Sequence, residues 1–132
     1  MDEAERQQRK LQPPDINAWN RQADRMWVFS GLVCDTDRNQ TNVFVGKDWK
    51  LWMIDFSRAF RPHHKLFNPA HLARCDRHLL EKLRQLDEAA VRERTAPHIN
   101  KTQVQAVMAR RDLIVSFFEK KIAEKGEADV LY

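Results

Sequence analysis

Apolar residues recur every three or four positions between residues 16 and 33, as on the buried face of an α-helix. The members of this stripe are Ile16, Trp19, Ala23, Met26, Trp27 and Val33. Asp15 directly precedes the stripe and is suited to cap its first turn. The pattern therefore predicts an amphipathic helix over 15–34. The polar residues 1–14 end in Pro13–Pro14, which stops a helix, and we expect them to form a disordered lead-in.

The period of the pattern changes after the first predicted helix. Two short runs rich in β-branched and aromatic residues, 42–45 and 50–54, flank Gly46–Trp49. Such runs around a short polar segment that contains glycine are typical of a β-hairpin. In this hairpin Leu51 and Met53 should face one side of the sheet, while Trp52 and Ile54 face the other.

Helical periodicity returns over 68–126. Asn68 followed by Pro69 is a typical helix start, and Pro97 interrupts the pattern. Asn100 and Gln103 have the spacing of a capping box for a last helix, which should end near Gly126. The two apolar stripes are Leu72, Leu79, Leu83, Leu86 and Ala90, and then Val104, Val107, Met108, Ile114, Val115, Phe118 and Ile122. The expected fold class is α+β, mostly α, with one domain over 15–132.

Composition and charge limit the possible functions. The chain has 132 residues, of which 42% are hydrophobic and 32% charged, enough for one small domain with a modest core. The net charge of +4 is spread along the chain, so nucleic-acid binding is not expected. Cys34 and Cys75 do not form a disulfide framework, and no apolar run is long enough to span a membrane. The beginning of the chain is charged and does not resemble a signal peptide. We expect a cytoplasmic protein.

Oxygen-bearing side chains are concentrated around the predicted hairpin. Asp37 and Asn42 lie in the segment that leads into it, and Asp55 follows its second strand. The two sides of one hairpin can thus bring these three groups together. Carboxylate and amide oxygens suit Mg²⁺, which takes few protein ligands and leaves positions for phosphate oxygens.

These residues resemble a motif set of the protein-kinase-like superfamily. The kinase catalytic loop has the pattern D-x-x-x-x-N, which Asp37 to Asn42 match, followed by a hairpin and a second metal-binding Asp. Asp55-Phe56-Ser57 stands at that second place, 13 residues after Asn42. The Asp37–Arg38 pair is similar to the atypical branches: phosphoinositide kinases, secretory-pathway kinases and bacterial persistence-toxin kinases. The resemblance covers about residues 16–60.

The resemblance implies a role for each matching residue. Asp37 would be the catalytic residue that orients the attacking hydroxyl, while Asn42 and Asp55 would hold Mg²⁺ on the phosphates of ATP.

Three further residues near the predicted hairpin have two interpretations each. Asp35 either supports the site as a hydrogen-bond acceptor or lies on the surface, which is the favoured interpretation. Arg38 either pairs with a loop carboxylate or touches phosphate. Arg58 either meets a substrate anion or, as favoured, is solvated or ion-paired.

The sequence also departs from the kinase pattern. Asp35–Thr36 replaces the usual His-Arg, and Ser57 stands where protein kinases have glycine. Gly31 is the first glycine, so no glycine-rich loop precedes Asp37. We therefore expect a kinase-like C-terminal lobe with one catalytic hairpin and no N-terminal nucleotide-covering sheet. The covering lobe would lie on a longer product or on another chain, or be lost, and the isolated chain should bind nucleotide weakly and be inactive.

Two other interpretations remain open at this stage. The chain could be a degenerate, kinase-derived binding module without catalysis. An apolar face left exposed by the absent lobe would then bind a partner or a second copy. Separately, His71, Cys75 and His78 would share one face of a helix, which raises zinc binding as a less favoured alternative because no fourth ligand is near.

Overall fold

The computed structural model describes all of residues 1–132, and it is α+β and mostly helical, as predicted. In chain order its elements are α1 (Glu3–Gln8), α2 (Ile16–Val33), β1 (Val43–Val45), β2 (Leu51–Met53), α3 (Arg77–Gln85), α4 (Glu88–Thr95), α5 (Lys101–Lys125) and α6 (Glu127–Val130). Two 3₁₀ turns add Gln40–Asn42 and Pro69–His71. None of the helices combines the length and the apolar character that crossing a bilayer would need.

Helices α2 and α5 begin where the sequence predicts. At the start of α2 the Asp15 side chain accepts a hydrogen bond from the Ala18 N–H at 3.0 Å. The start of α5 has a full capping box: the Asn100 side chain accepts from the Gln103 N–H, and the Gln103 side chain accepts from the Asn100 N–H, both at 2.8 Å. Each cap satisfies N–H groups that the first helical turn leaves without partners. Gly126 ends α5 as predicted.

The predicted hairpin is present as an antiparallel pair of strands. Val43 lies opposite Met53, Phe44 opposite Trp52, and Val45 opposite Leu51. Val43 and Val45 are buried, whereas Phe44 and Trp52 are exposed on the other face. The hairpin therefore packs one face on the body of the protein and turns an aromatic face outward.

A hydrophobic core cluster lies between α2, α3 and α5. Its buried members are Val28, Leu72, Cys75, Leu80, Leu83, Ile114, Phe118, Val130 and Leu131. The last residues of the chain belong to this core, because Leu131 forms a parallel bridge with Cys75. The Cys75 N–H donates to Val130 O at 2.9 Å, and the Tyr132 N–H donates to Cys75 O at 3.2 Å. The core thus fixes α2, and with it the segment that leads into the hairpin.

Residues 1–14 differ from the expected disordered lead-in, because residues 3–8 form α1. Asp2 caps this helix by accepting from the Glu5 N–H at 2.8 Å. Arg6 is buried and forms an ion pair with Glu3 at 2.7 Å. The Val45 N–H donates to Met1 O at 2.8 Å, so the start of the chain covers the outer edge of β1. A six-residue helix is too short to be stable alone, and this contact with a distant strand orders it.

The prediction of a helix starting at Asn68 was wrong, because α3 begins only at Arg77. Asn68 makes no capping hydrogen bond, because its Oδ1 has no partner. Its Nδ2 donates to Trp27 O at 3.0 Å and links the segment to α2. Asp76 is the actual cap, accepting from the Leu79 N–H at 3.0 Å. As a result Leu80, with Leu83, is buried on α3, and Leu79 is only partly buried.

Candidate functional site

The segment that carries the candidate site begins with a tight reversal of the chain after α2. Cys34 adopts a left-handed conformation (φ 50°). Its N–H donates to Gly31 O at 3.3 Å, and the Asp35 N–H donates to Ser30 O at 3.0 Å. This is the Schellman pattern of helix termination. The reversal turns the Asp35 side chain into the interior, where it is fully buried.

The favoured interpretation of Asp35 as a surface residue was therefore wrong. Asp35 pairs with Arg38, and neither side chain is exposed to solvent. The Arg38 Nε donates to Asp35 Oδ2 at 2.8 Å, and the Nη2 donates to the same oxygen. Asp35 Oδ1 has no hydrogen-bond partner. Of the two interpretations of Arg38, the structure has the one in which it pairs with a carboxylate of the loop.

Arg38 also connects the loop to the far end of the hairpin. Its Nη1 donates to the carbonyl oxygens of Asn42 and Ile54, and its Nη2 donates to Asp55 O at 3.3 Å. The Phe56 ring covers the guanidinium, with Cζ 4.7 Å from the ring centroid. One buried cation thus holds the backbone of both segments that carry the predicted metal ligands.

Asp37 and Asn42 are in direct contact. The Asn42 amide donates to Asp37 O at 2.8 Å and lies 3.5 Å from Asp37 Oδ2. The Asn39 amide donates to the other carboxylate oxygen of Asp37 at 3.0 Å. Because the side-chain nitrogen of Asn42 is engaged, its side-chain oxygen Oδ1 is the atom available to a ligand.

Asp55 lies beside Asn42 at the exit of the hairpin. The Ile54 N–H donates to Asn42 O at 3.0 Å, which fixes the position of the residue that follows. Asp55 has a left-handed backbone (φ 57°), a conformation that aspartate tolerates better than most residues. Its exposed carboxylate accepts from the Ser57 N–H at 3.1 Å. Hydrogen bonds from Ser57, assisted by Arg38 and Arg58, lower the pKa of Asp55.

The structure thus joins Asp37 to Asn42 through the Asn42 side-chain amide, and it links the backbone of Asp55 to the backbone of Asn42 through Arg38. No hydrogen bond links the Asp55 side chain to either of the other two. Arg58 is exposed, and its only hydrogen bond is made by its carbonyl oxygen, which accepts from Thr36 Oγ1 at 3.5 Å. Its guanidinium is therefore free in solvent.

The available ligand atoms fit Mg²⁺ better than a softer metal. Two carboxylates and one amide supply only oxygen atoms, and magnesium usually combines one or two carboxylates with water and phosphate oxygens. Nowhere in the chain do three or more His, Cys, Asp or Glu side chains form a group that could hold a metal. Magnesium would therefore depend on oxygen ligands from a bound phosphate.

The zinc alternative fails because its three residues do not share a helix. His71 lies in a 3₁₀ turn, where its ring stacks on Trp27 at 4.1 Å between centroids. Cys75 precedes α3 and is buried, and burial raises the pKa of its thiol to about 12. A thiol that resists deprotonation is a poor zinc ligand.

Arg110 was missed by the sequence analysis and helps to position the site. It is fully buried on α5. Its Nε donates to Leu32 O at 2.9 Å, and its Nη1 donates to Arg61 O at 2.8 Å and to His63 O at 2.6 Å. It thereby ties the end of α2 to the segment after Asp55. Its position in the sequence could have indicated its burial, because Arg110 lies three residues after Val107 and four before Ile114, on the apolar stripe of α5.

An exposed apolar surface adjoins the candidate site. Phe44, Trp52 and Ile54 share the outward face of the hairpin and are 43%, 56% and 44% exposed. Large apolar side chains at neighbouring exposed positions often mark a contact surface.

Comparison with known proteins adds no assignment: no model of a protein family matches the sequence, and a search of curated proteins finds no significant match.

Proposed function

We propose that this chain is the magnesium-binding lobe of an ATP-dependent phosphotransferase of the protein-kinase-like type. The observation that carries the proposal is the link made by Arg38. This buried side chain pairs with Asp35 and binds the carbonyl oxygens of Asn42, Ile54 and Asp55. A buried cation that holds both ligand-bearing segments favours a preorganised site over two unrelated polar turns.

Each residue has a role that follows from its position. Asp37, held by Asn39 and Asn42, orients the hydroxyl of the phosphate acceptor. Asn42 and Asp55 offer oxygen atoms to Mg²⁺, which neutralises charge on the phosphate groups when it is bound. Arg38 keeps Asn42 and Asp55 at a fixed separation. Hydrogen bonds from Ser57 lower the pKa of Asp55, which favours the ionised carboxylate that a metal ligand needs.

We expect the isolated chain to bind nucleotide weakly and to transfer phosphate negligibly. The resemblance implies a second lobe with a lysine for the phosphates and a sheet that covers the nucleotide. The outward hairpin face of Phe44, Trp52 and Ile54 is the apolar surface on which such a lobe, supplied by a longer product or another chain, would pack. The acceptor class, whether protein, lipid or small molecule, has no signature among these residues.

Calorimetric titration with ATP tests this proposal. We expect weak binding that requires Mg²⁺ and is lost in Asp55→Asn and in Asn42→Ala. A matched control is Asp112→Asn, an exposed residue on α5 whose pairing with Arg111 is local. Equal ATP affinity with and without Mg²⁺, or binding that Asp55→Asn leaves unchanged, would refute the proposal. Phosphate transfer by the isolated chain that Asp37→Ala abolishes would refute only the claim that a second lobe is needed.

A second candidate function is a kinase-derived binding module without catalysis. The exposed aromatic face of the hairpin favours it, because Phe44 and Trp52 form a cross-strand pair and are 43% and 56% exposed. In this case Phe44→Ser with Trp52→Ser would abolish self-association or partner binding, and no Mg²⁺-dependent ATP binding would be measured. The ATP titration therefore distinguishes the two candidate functions, because only the first predicts Mg²⁺-dependent binding.

A further inference from the structure

The outer edge of β1 is paired with the start of the chain, whereas the outer edge of β2 is not paired with any strand. Along β1, the Val45 N–H donates to Met1 O at 2.8 Å, and Asp2 forms an antiparallel bridge with Phe44. The start of the chain therefore acts as a third, very short strand. No strand pairs with the outer edge of β2, because β2 pairs only with β1. An unpaired edge presents N–H and C=O groups to any extended chain.

The register shows which groups of β2 face this open edge. The Gly46 N–H donates to Lys50 O at 2.9 Å, and the Ile54 N–H donates to Asn42 O at 3.0 Å. Residues 50, 52 and 54 therefore make the bonds to β1. In an antiparallel pair the alternate residues turn their backbone groups the other way. Leu51 and Met53 thus direct their N–H and C=O groups to the open edge.

One rung of this edge is occupied by a side chain. The Leu51 N–H donates to Gln22 Oε1, and Gln22 Nε2 donates to Trp49 O, both at 3.0 Å. The carboxamide of Gln22 thus satisfies the N–H of Leu51 on this edge and the C=O of Trp49 in the preceding turn. Beyond it, the C=O of Leu51 and both backbone groups of Met53 have no partner in the chain. Three backbone groups of this edge therefore remain able to bond to an added strand.

A groove runs along this edge between β2 and α2. It consists of two adjoining hollows of about 460 Å³ and 320 Å³, which share Gln22, Arg25 and Leu51. Its apolar wall is formed by Ala18, Met26, Phe29, Leu51, Trp52 and Met53. Its charged residues are Arg21, Arg25 and Lys50, and no acidic side chain lines it.

The cations of the groove are available to a ligand. Arg25 pairs with Asp76 at 3.1 Å, and Lys50 pairs with Asp48 at 3.6 Å, but both cationic side chains are more than half exposed. Exposed ion pairs of this kind contribute little and exchange readily. Arg21 has no carboxylate partner, and its guanidinium lies 4.8 Å from the ring centroid of Tyr132. The groove therefore favours an anionic occupant.

We propose that this groove binds an extended acidic peptide segment of a partner protein, which adds to β2 as a new strand. Its backbone bonds to Leu51 and Met53, one row of side chains meets the apolar wall, and acidic side chains meet Arg21, Arg25 and Lys50. The unpaired backbone groups favour a peptide over a nucleic acid, because a nucleic acid offers no ladder of amides at strand spacing. This proposal does not depend on the phosphotransferase assignment.

The probe is a synthetic eight-residue peptide in which glutamate and valine alternate, titrated into the full chain and observed by amide NMR. We expect shifts at Leu51 and Met53 and protection of the Met53 amide from hydrogen exchange. A peptide with lysine in place of glutamate should not bind. Two further peptides carry N-methyl groups either on every valine or on every glutamate. Only one of the two should lose binding, because alternate amides face β2.

Charge reversal provides the matched variants. Arg21→Glu combined with Arg25→Glu should weaken binding of the glutamate–valine peptide about tenfold or more. Arg92→Glu, an exposed position on α4, should leave it unchanged. If the double variant does not fold, Lys50→Glu serves in its place, since Lys50 lies on an exposed turn.

Several results would overturn the proposal. They include equal binding of both N-methylated peptides, equal binding of the lysine peptide, and no binding of the glutamate–valine peptide. Binding of oligothymidylate through Trp52 and the same cations would assign the groove to single-stranded nucleic acid instead. A chain that sediments as a dimer, with Met53 protected in the absence of peptide, would assign the groove to a second copy.

Discussion

Arg38 and Asp35 form an ion pair in which both side chains are completely buried, three residues apart at the start of the loop that carries Asp37. Two charges removed from water are tolerated only when each compensates the other and further hydrogen bonds are made. Arg38 meets this condition through the carbonyl oxygens of Asn42, Ile54 and Asp55. The pair therefore holds the loop and the end of the hairpin in place, and with them the candidate site.

Removing one partner of this pair should destabilise the protein strongly. We expect Asp35→Ala to lower the free energy of unfolding by about 3–5 kcal/mol, because the Arg38 charge is left buried without its partner. Urea unfolding measures the loss. The double variant Asp35→Leu with Arg38→Met should be less destabilised than the single variant. Equal stability of Asp35→Ala and the unmodified chain would show that the pair is not buried in solution.

Gly31 should be intolerant of a side chain although it lies inside α2. Replacing glycine by alanine within a helix normally gains up to about 1 kcal/mol. Here the added Cβ would lie 2.9 Å from Asn68 Oδ1, and that amide is held by its bond to Trp27 O. We expect Gly31→Ala to lose about 1–3 kcal/mol by steric overlap.

The cause of that loss can be isolated by a double-mutant cycle. Asn68→Ala removes the atom that the new Cβ would meet, so Gly31→Ala should cost much less in that background, as denaturant unfolding would record. An identical cost in both backgrounds would mean that the contact between residue 31 and residue 68 is not the reason.

Asp76 should contribute to the loss of stability in acid. Burial raises its pKa, but hydrogen bonds from the Leu79 N–H and from Arg25 outweigh this effect, and the pKa lies below its ordinary value. A carboxylate with a lowered pKa stabilises the fold above its ordinary pKa of about 4, and the stabilisation is lost as pH falls through the lowered value.

Two substitutions separate the charge of Asp76 from its capping role. Asp76→Asn retains the cap of α3 and should flatten the acid limb of the stability curve, whereas Asp76→Ala should also cost about 1 kcal/mol at neutral pH. Thermal unfolding between pH 2 and pH 7 measures both effects. An acid limb that is unchanged in Asp76→Asn would contradict the lowered pKa.

The sequence predicts the elements whose signals are local. Asp15 at α2 and the Asn100–Gln103 capping box at α5 lie within three residues of the groups they cap, and the hairpin is marked by its own alternation. Helix α1 has no such local support, because its order comes from β1. Asn68 misled the prediction because its amide bonds to Trp27, 41 residues earlier, and does not cap a helix.

The candidate site likewise has features that local sequence signals predict and features that depend on distant contacts. The positions of Asp37, Asn42 and Asp55 along the chain suggested that they converge, because one hairpin separates them. The burial of Asp35 could not be predicted, because it depends on Arg38 and on carbonyl oxygens that only the folded hairpin brings together. Arg110 was missed for the same reason, since its three acceptors come from two separate segments.

Both cysteines should be protected from thiol reagents in the folded protein. Cys34 and Cys75 are buried, and burial raises the pKa of both thiols, that of Cys75 to about 12. The reactive thiolate is therefore scarce at pH 8. We expect labelling by N-ethylmaleimide to follow global unfolding in urea. Fast labelling of Cys75 without denaturant would show that the contact of the chain end with residues 75–77 opens in solution.

The proposal as a whole requires that Asn42 and Asp55 bind one divalent cation together with ATP, and that Asp37 lies next to this cation. Mn²⁺ can replace Mg²⁺ at oxygen sites and broadens the NMR signals of nearby nuclei. In the presence of ATP, a small amount of Mn²⁺ should broaden the amide signals of residues 37, 42 and 55 first. Asp55→Asn should remove this selectivity, while Asp112→Asn should preserve it. Broadening that spares these three residues, or that is the same in Asp55→Asn, would contradict the account.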